Sequence, residues 1–210
     1  MTHLRNLIMC FFCLIIQINA ANPSLFISPI SDSLYIQVTS FADHTISETT
    51  LHTLSQYNAD QAKAIIIDFR HNMGGYIHEA IEFSALFVKT DTLITLIKKN
   101  NAPLSVIRPK NHPFIPAKKL IILLDNQTAS ASEAAISILL NHPNITLIGK
   151  PSHGKTTIHT EVNPSPYASF KMTTPKIQPD IIAKLPISAN PLDMAQFALM
   201  QVYQQPQPSN

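Results

Sequence analysis

The stretch that decides the fold is Ala64-Ile65-Ile66-Ile67-Asp68-Phe69-Arg70-His71-Asn72-Met73-Gly74-Gly75. Residues 64–69 are continuous, β-branched and apolar but for Asp68, which predicts a strand buried on both faces. The glycine pair closes the segment, and Ile77, Ala80 and Ile81 then recur at helical spacing, so a helix is expected over 77–88. The same order returns downstream. Leu120–Leu124 (LIILL) reads as a second fully buried strand, Thr128-Ala129-Ser130-Ala131-Ser132-Glu133 as a turn, and 132–140 as an apolar helix. Further out, strands are expected over 34–38, 92–97 and 145–148, a weak helix over 46–57 and a last helix over 191–203. A proline-rich loop with a short edge strand falls at 103–116, and a hairpin joins 156–162 to 168–173. Strands alternating with helices predict an α/β domain with a largely parallel or mixed central sheet.

Composition narrows the function. The chain has 210 residues, 45% of them hydrophobic, enough for one domain with a sizeable core. Charged residues are 13%, about half the usual ~25%, which excludes a charge-driven disordered chain and a long charged coiled coil. The net charge of +2 comes from scattered lysines and forms no basic stripe, so no nucleic-acid partner is expected. The four glycines are Gly74, Gly75, Gly149 and Gly154, all in two short segments. Elsewhere the backbone manages without them.

Residues 1–20 read as a signal peptide: Arg5, a twelve-residue run over 7–18 that is apolar but for Gln17, and a small residue, Ala20, at the cleavage point. An uncleaved anchor is the alternative, and either reading exports the rest. The run is short for a membrane span, so no stable span is expected after cleavage. Cys10 and Cys13 both lie inside it, so the mature chain, 21–203 with a compositionally disordered tail over 204–210, contains no thiol. That excludes a disulfide scaffold, a cysteine nucleophile and a cysteine metal site.

Two turns carry the candidate chemistry. Backbone N–H groups freed at Gly74-Gly75 suit an anion or a developing oxyanion, and equally suit a plain strand-to-helix turn. Ser130 or Ser132 sits where a helix begins, where a nucleophile benefits from neighbouring N–H groups. Ser130-x-x-Glu133 is also a capping box, the commoner use of such a serine. Twenty-five residues beyond Ser130 comes Lys155, after Gly154 and before Thr156. A lysine takes a serine proton only if burial lowers its pKa; otherwise it is a surface cation.

The order of these motifs resembles the C-terminal processing, or tail-specific, serine peptidases. The likeness spans 34–182: AIIIDFRHNMGG for the family's strand and R-N-N-P-G-G turn, TASASE for its S-A-S-A-S-E helix start, Gly149 to Lys155 for its G-x-x-x-x-G-K, and Pro179-Asp180 for its late P-D. The resemblance implies a ClpP/crotonase-like fold of stacked ββα units with a mixed sheet. It implies Ser130 as nucleophile, Lys155 as general base, and Ala131 with the Gly74-Gly75 turn as oxyanion donors. It also implies protein or peptide substrates, with no cofactor and no metal. The implied activity is a secreted or periplasmic serine endopeptidase that cleaves unfolded or C-terminal segments. The alternative is an inactive ligand- or peptide-binding module on the same fold.

Departures from the family pattern are local. Met73 replaces a proline, His71 an asparagine, His153 a phenylalanine and Thr156 a glycine, and His159 stands where a glutamine often orients the base. The stretch before Leu34 is too short for the usual PDZ module. His153 and His159 flank Lys155, but no third ligand follows at zinc-site spacing, so His159 is read as a base-orienting residue.

Overall fold

The computed structural model describes residues 23–88, 94–98, 103–107, 114–154, 157–159, 169–171, 177–182 and 191–203. The expected signal peptide over 1–20, Lys155, and the tail over 204–210 lie outside the described residues.

The elements run β1 (Leu25–Ile30), β2 (Ser33–Val38), α1 (Ile46–Ser55), β3 (Ile65–Asp68), α2 (Ile77–Ala85), β4 (Ile94–Lys98), β5 (Pro103–Ile107), β6 (Leu120–Leu124), α3 (Ala131–Leu139), β7 (Ile145–Gly149), β8 (Thr157–His159), β9 (Ser169–Lys171), β10 (Ile181–Ile182) and α4 (Pro191–Tyr203). Among the described residues a main sheet has the order β1-β2-β3-β6-β7-β10. The β1–β2 hairpin is antiparallel, and every later pair in this sheet is parallel. A second, antiparallel sheet has the order β5-β4-β9-β8. The architecture is the mixed-sheet α/β one that the sequence predicts, and β8–β9 is the expected hairpin.

Strand periodicity builds the core. Ile65, Ile67, Leu120, Ile122 and Leu124 belong to one buried cluster with α1, α2 and α3. The intervening Ile66, Ile121 and Leu123 belong to another, with Met194, Ala195 and Ala198 of α4. β3 and β6 are therefore apolar at every position except Asp68, because helices cover both of their faces.

The strand β1 has no counterpart in the sequence reading. Its sequence, LFISPI, carries Pro29, which demotes a strand signal. The structure accommodates the proline because β1 is the sheet's edge and leaves one side of its backbone without a ladder. The short edge strand expected in the proline-rich segment is β5, which sits at the edge of the second sheet. Asp180 of the Pro179-Asp180 pair accepts the Leu147 N–H at 2.8 Å and introduces β10 beside β7.

Candidate active site

β3 and β6 are neighbours in parallel register, Asp68 opposite Leu123, so both turns leave the sheet at the same end. That is where open parallel sheets gather their functional loops. The turns are joined by hydrogen bonds. Phe69 N–H donates to Leu123 O (2.9 Å), Ala129 N–H to Asn72 O (3.0 Å), Thr128 Oγ1 to Phe69 O (2.9 Å) and His71 N–H to Asp125 Oδ1 (3.1 Å). Asn72 is fully buried and donates its side-chain amide to Val38 O at 2.8 Å, tying the first turn back to β2.

Ser130 is half-buried at the start of α3, with φ +58° and ψ −117°. Left-handed φ in a residue with a side chain costs about 1–3 kcal/mol and collects at functional turns. A strained strand-to-helix turn of this kind raises a serine Oγ out of the backbone in α/β-hydrolases. Ser130 and Glu133 also form the capping box that their spacing predicts; its half at hydrogen-bond length is Ser130 N–H to Glu133 Oε2, 2.9 Å. That bond uses the backbone N–H of Ser130 and not its hydroxyl, so it does not occupy the nucleophile's oxygen. Ser132, the other candidate, is fully buried and donates its hydroxyl to Asn72 O at 3.1 Å, which leaves it a structural role.

The glycine turn packs directly on Ser130. A Cβ at Gly74 would lie 2.9 Å from Ala129 O, from Ala131 N and from Ser130 Cβ, at a φ of +105°. Gly74 N–H donates to Asn72 Oδ1 at 2.9 Å and is already committed. Among the described residues, no hydrogen bond is formed by the N–H of Gly75 or of Ala131, the first residue of α3. Gly75, at φ +140°, presses on the segment after β2: a Cβ there would meet Phe41 C at 2.2 Å. Phe41 N–H donates to Gly74 O (2.8 Å) and Tyr76 N–H to Phe41 O (2.9 Å), completing the clamp.

Glu133 is the residue whose part the sequence understates. Its spacing announces a cap, yet its buried carboxyl does more. Oε1 accepts the Ser152 hydroxyl at 2.6 Å and the Gly154 N–H at 2.7 Å, while Oε2 holds Ser130. Ser152 in turn accepts the Ile177 N–H at 2.9 Å, and His153 N–H donates to Thr128 O at 2.9 Å. The segment ending at Gly154 is thus fastened to the Ser130 turn by side chain and backbone together. His159 belongs to β8, in the second sheet.

Beneath the glycine turn lies a buried polar group. Asp68 receives the Tyr35 hydroxyl at 2.6 Å, Arg70 Nε at 2.9 and 3.0 Å, and Arg70 Nη2 at 2.6 Å. Burial, and then the Asp68 charge, push the Tyr35 hydroxyl well above the usual tyrosine range. Burial pulls the Arg70 guanidinium down, its bond to Asp68 pushes it up, and the balance is upward. These groups point into the fold and brace the end of β3, in line with a structural role. His71, where an asparagine is usual, has φ +61° and puts Nδ1 3.0 Å from Asp125 Oδ2. Histidine is among the side chains that enter left-handed space most readily, so the substitution keeps the turn. Met73, in place of proline, is 74% exposed.

A doubly covered parallel core that presents a strained serine against a glycine turn defines a hydrolase-like α/β domain. The model of Peptidase family S41 matches residues 32–182, and the chain belongs to that family. It is 29% identical over 164 residues to the carboxy-terminal processing protease CtpA of Bacillus subtilis, covering 72% of this chain and 35% of that protein. It is 26% identical over 144 residues to the carboxyl-terminal-processing protease of Synechocystis, covering 69% and 33%. The chain spans about a third of the length of these curated relatives. Among solved structures, a Parabacteroides merdae peptidase aligns with a TM-score of 0.65 at 14% identity, covering 92% of this chain and 70% of that one. The photosystem II D1 C-terminal processing protease aligns with a TM-score of 0.65 at 17% identity, covering 82% and 52%. At these identities the two structures establish the shared fold.

Proposed function

We propose that this chain is an exported serine endopeptidase that uses a Ser130–Lys155 dyad to cleave unfolded or C-terminal segments of proteins. The single observation that carries the reading is Ser130 itself. It combines strained φ, a place at a helix N-terminus, and direct packing against Gly74. Membership of a peptidase family and the likeness to C-terminal processing proteases support the reaction class and the protein substrate.

In this mechanism Ser130 Oγ attacks the scissile carbonyl while Lys155, held neutral, takes the hydroxyl proton and later returns it to the leaving amine. The carbonyl oxygen becomes an oxyanion held by Ala131 N–H and, of the two glycines, by Gly75 N–H, since Gly74 N–H is engaged by Asn72. Glu133 keeps the nucleophile turn and the residues leading to Lys155 in one rigid unit, which is the positioning that intramolecular proton transfer needs. His159 orients the base. Residues 1–20 direct the chain out of the cytoplasm, and 21–203 form the catalytic domain.

The test is turnover of an unstructured protein substrate. Wild type should cleave it; Ser130→Ala and Lys155→Ala should each lose at least ~10²-fold in kcat, and His159→Gln should stay close to wild type. An active Lys155→Ala beside a dead His159→Gln would assign the base to histidine instead. Uniform inertness of every form, wild type included, would favour the binding module.

A further inference from the structure

A second cluster of chemically capable side chains lies just beyond the glycine turn, on the side away from Ser130 in sequence. His44 follows the Phe41 segment that clamps Gly75, and His78 and Glu79 begin α2. His44 Nδ1 and His78 Nε2 are 2.9 Å apart, and one ligand atom from each of His44, His78 and Glu79 lies within 4.8 Å of the others. The rings are stacked: Tyr76 on His44 at 3.9 Å and 13°, His44 on His78 at 5.0 Å and 18°. Both histidines are exposed, whereas Glu79 is buried and accepts the Ser47 N–H through Oε1.

We propose that His44, His78 and Glu79 bind a divalent transition metal of the zinc class, with a fourth position left to water. Two imidazoles and one carboxylate are a donor set that zinc takes in open sites. Tetrahedral metal–nitrogen bonds of about 2.0–2.1 Å place donors about 3.3 Å apart, and the histidine pair at 2.9 Å reaches that spacing by a small opening. A carboxylate oxygen of Glu79 closes the set by moving inward by up to about 1.5 Å, within reach of a side-chain rotation. The carboxylate also supplies the negative charge that a cation needs at the N-terminal end of a helix, where the backbone dipole opposes it. Outer contacts are in place too: the Ser47 N–H holds Oε1 of the carboxylate, leaving Oε2 to turn toward the metal, and the Tyr76 ring stacks on the His44 imidazole.

The location gives the metal a consequence. Segments 41–44 and 74–79 meet through the Phe41–Gly74 and Tyr76–Phe41 hydrogen bonds, and the metal would lock them across a third point. The locked strip contains Gly75, the residue whose N–H the proposed mechanism points at the oxyanion. The site is therefore a clamp on the oxyanion turn rather than a source of nucleophilic water. No spacing rule flags it, because His44 and His78 are 34 residues apart and come together only through the turn.

The experiment uses the whole chain stripped with chelator and titrated with zinc chloride, followed by calorimetry and by thermal unfolding. One zinc should bind per chain, and at a hundredfold excess over Kd the midpoint should rise by about 5–10 °C. His44→Ala and His78→Ala, both exposed positions, should each abolish the rise and the stoichiometric site. His153→Ala should keep both. Unchanged binding in His44→Ala and His78→Ala would place the metal elsewhere and overturn the proposal. Absence of any rise in the wild type would leave a histidine–histidine hydrogen bond only and would overturn it equally. Neither readout involves catalysis, so the outcome is independent of whether Ser130 is a nucleophile.

Discussion

Replacing Glu133 by glutamine removes a charge and one acceptor while keeping the shape. Among the described residues three donors converge on the carboxyl: the Ser152 hydroxyl and Gly154 N–H on Oε1, the Ser130 N–H on Oε2. Glutamine offers one oxygen and one NH2 group. With its oxygen at Oε1, the NH2 faces the Ser130 N–H; turned over, it faces the Gly154 N–H. The Ser152 hydroxyl gives little relief by rotating, since its oxygen already accepts the Ile177 N–H. At least one buried donor is therefore orphaned, at about 1–3 kcal/mol, and the remaining bonds lose their charge assistance. A total near 3 kcal/mol corresponds to a fall in Tm of roughly 6–12 °C for a chain of this size. Labelling of Ser130 by a serine-reactive phosphonate should slow at least ~10-fold, because the nucleophile turn and the segment before Lys155 lose their common anchor. Glu48→Gln, on the exposed face of α1, should change stability by no more than ~0.5 kcal/mol. If Glu133→Gln melts within a degree or two of wild type and labels at the wild-type rate, the carboxyl is not the anchor and the reasoning fails.

Two other perturbations address the turn and the buried polar group. Gly74→Ala puts a methyl 2.9 Å from three atoms of the 129–131 segment at a forbidden φ, so it should cost about 2–4 kcal/mol and suppress phosphonate labelling by at least ~10²-fold; a folded, normally labelled variant would show that the turn does not press on Ser130. The Tyr35 hydroxyl is raised in the folded state while it ionises near ~10 in the unfolded chain, so its contribution is full below pH ~10 and is lost as the pH climbs above it. Wild-type Tm should therefore fall more steeply than that of Tyr35→Phe between pH 9 and 11, and parallel curves would refute the assignment.

The parts of the fold that were legible are those where the chain's own periodicity is loud. AIIIDF and LIILL lack alternation because both sheet faces are covered, and that signal survives in the sequence whatever the tertiary context. β1 was not legible, since tolerance of Pro29 depends on its being an edge, a fact about the sheet and not about LFISPI. At the site, motif order brought Ser130, Ala131 and the glycines forward, and the structure gathers these at one end of β3 and β6. What spacing did not reveal is how single side chains serve several segments at once. Glu133 reads as a cap from its three-residue offset, while its bonds to Ser152 and Gly154 span about twenty positions. Spacing alone left Ser130 and Ser132 open and the motif resemblance chose Ser130; the physical difference lies in the fold, where one has the strained backbone and the other hydrogen-bonds Asn72. The choice of Gly75 over Gly74 as donor rests on an Asn72 side chain whose orientation no pattern encodes.

The most direct test of the central claim is the site and rate of covalent labelling by the phosphonate, read by mass spectrometry of the digested chain. The account predicts one adduct per chain on Ser130, none on Ser132, none in Ser130→Ala, and a rate at least ~10²-fold lower in Lys155→Ala. Labelling of a different residue, or equal rates in wild type and Lys155→Ala, would contradict it.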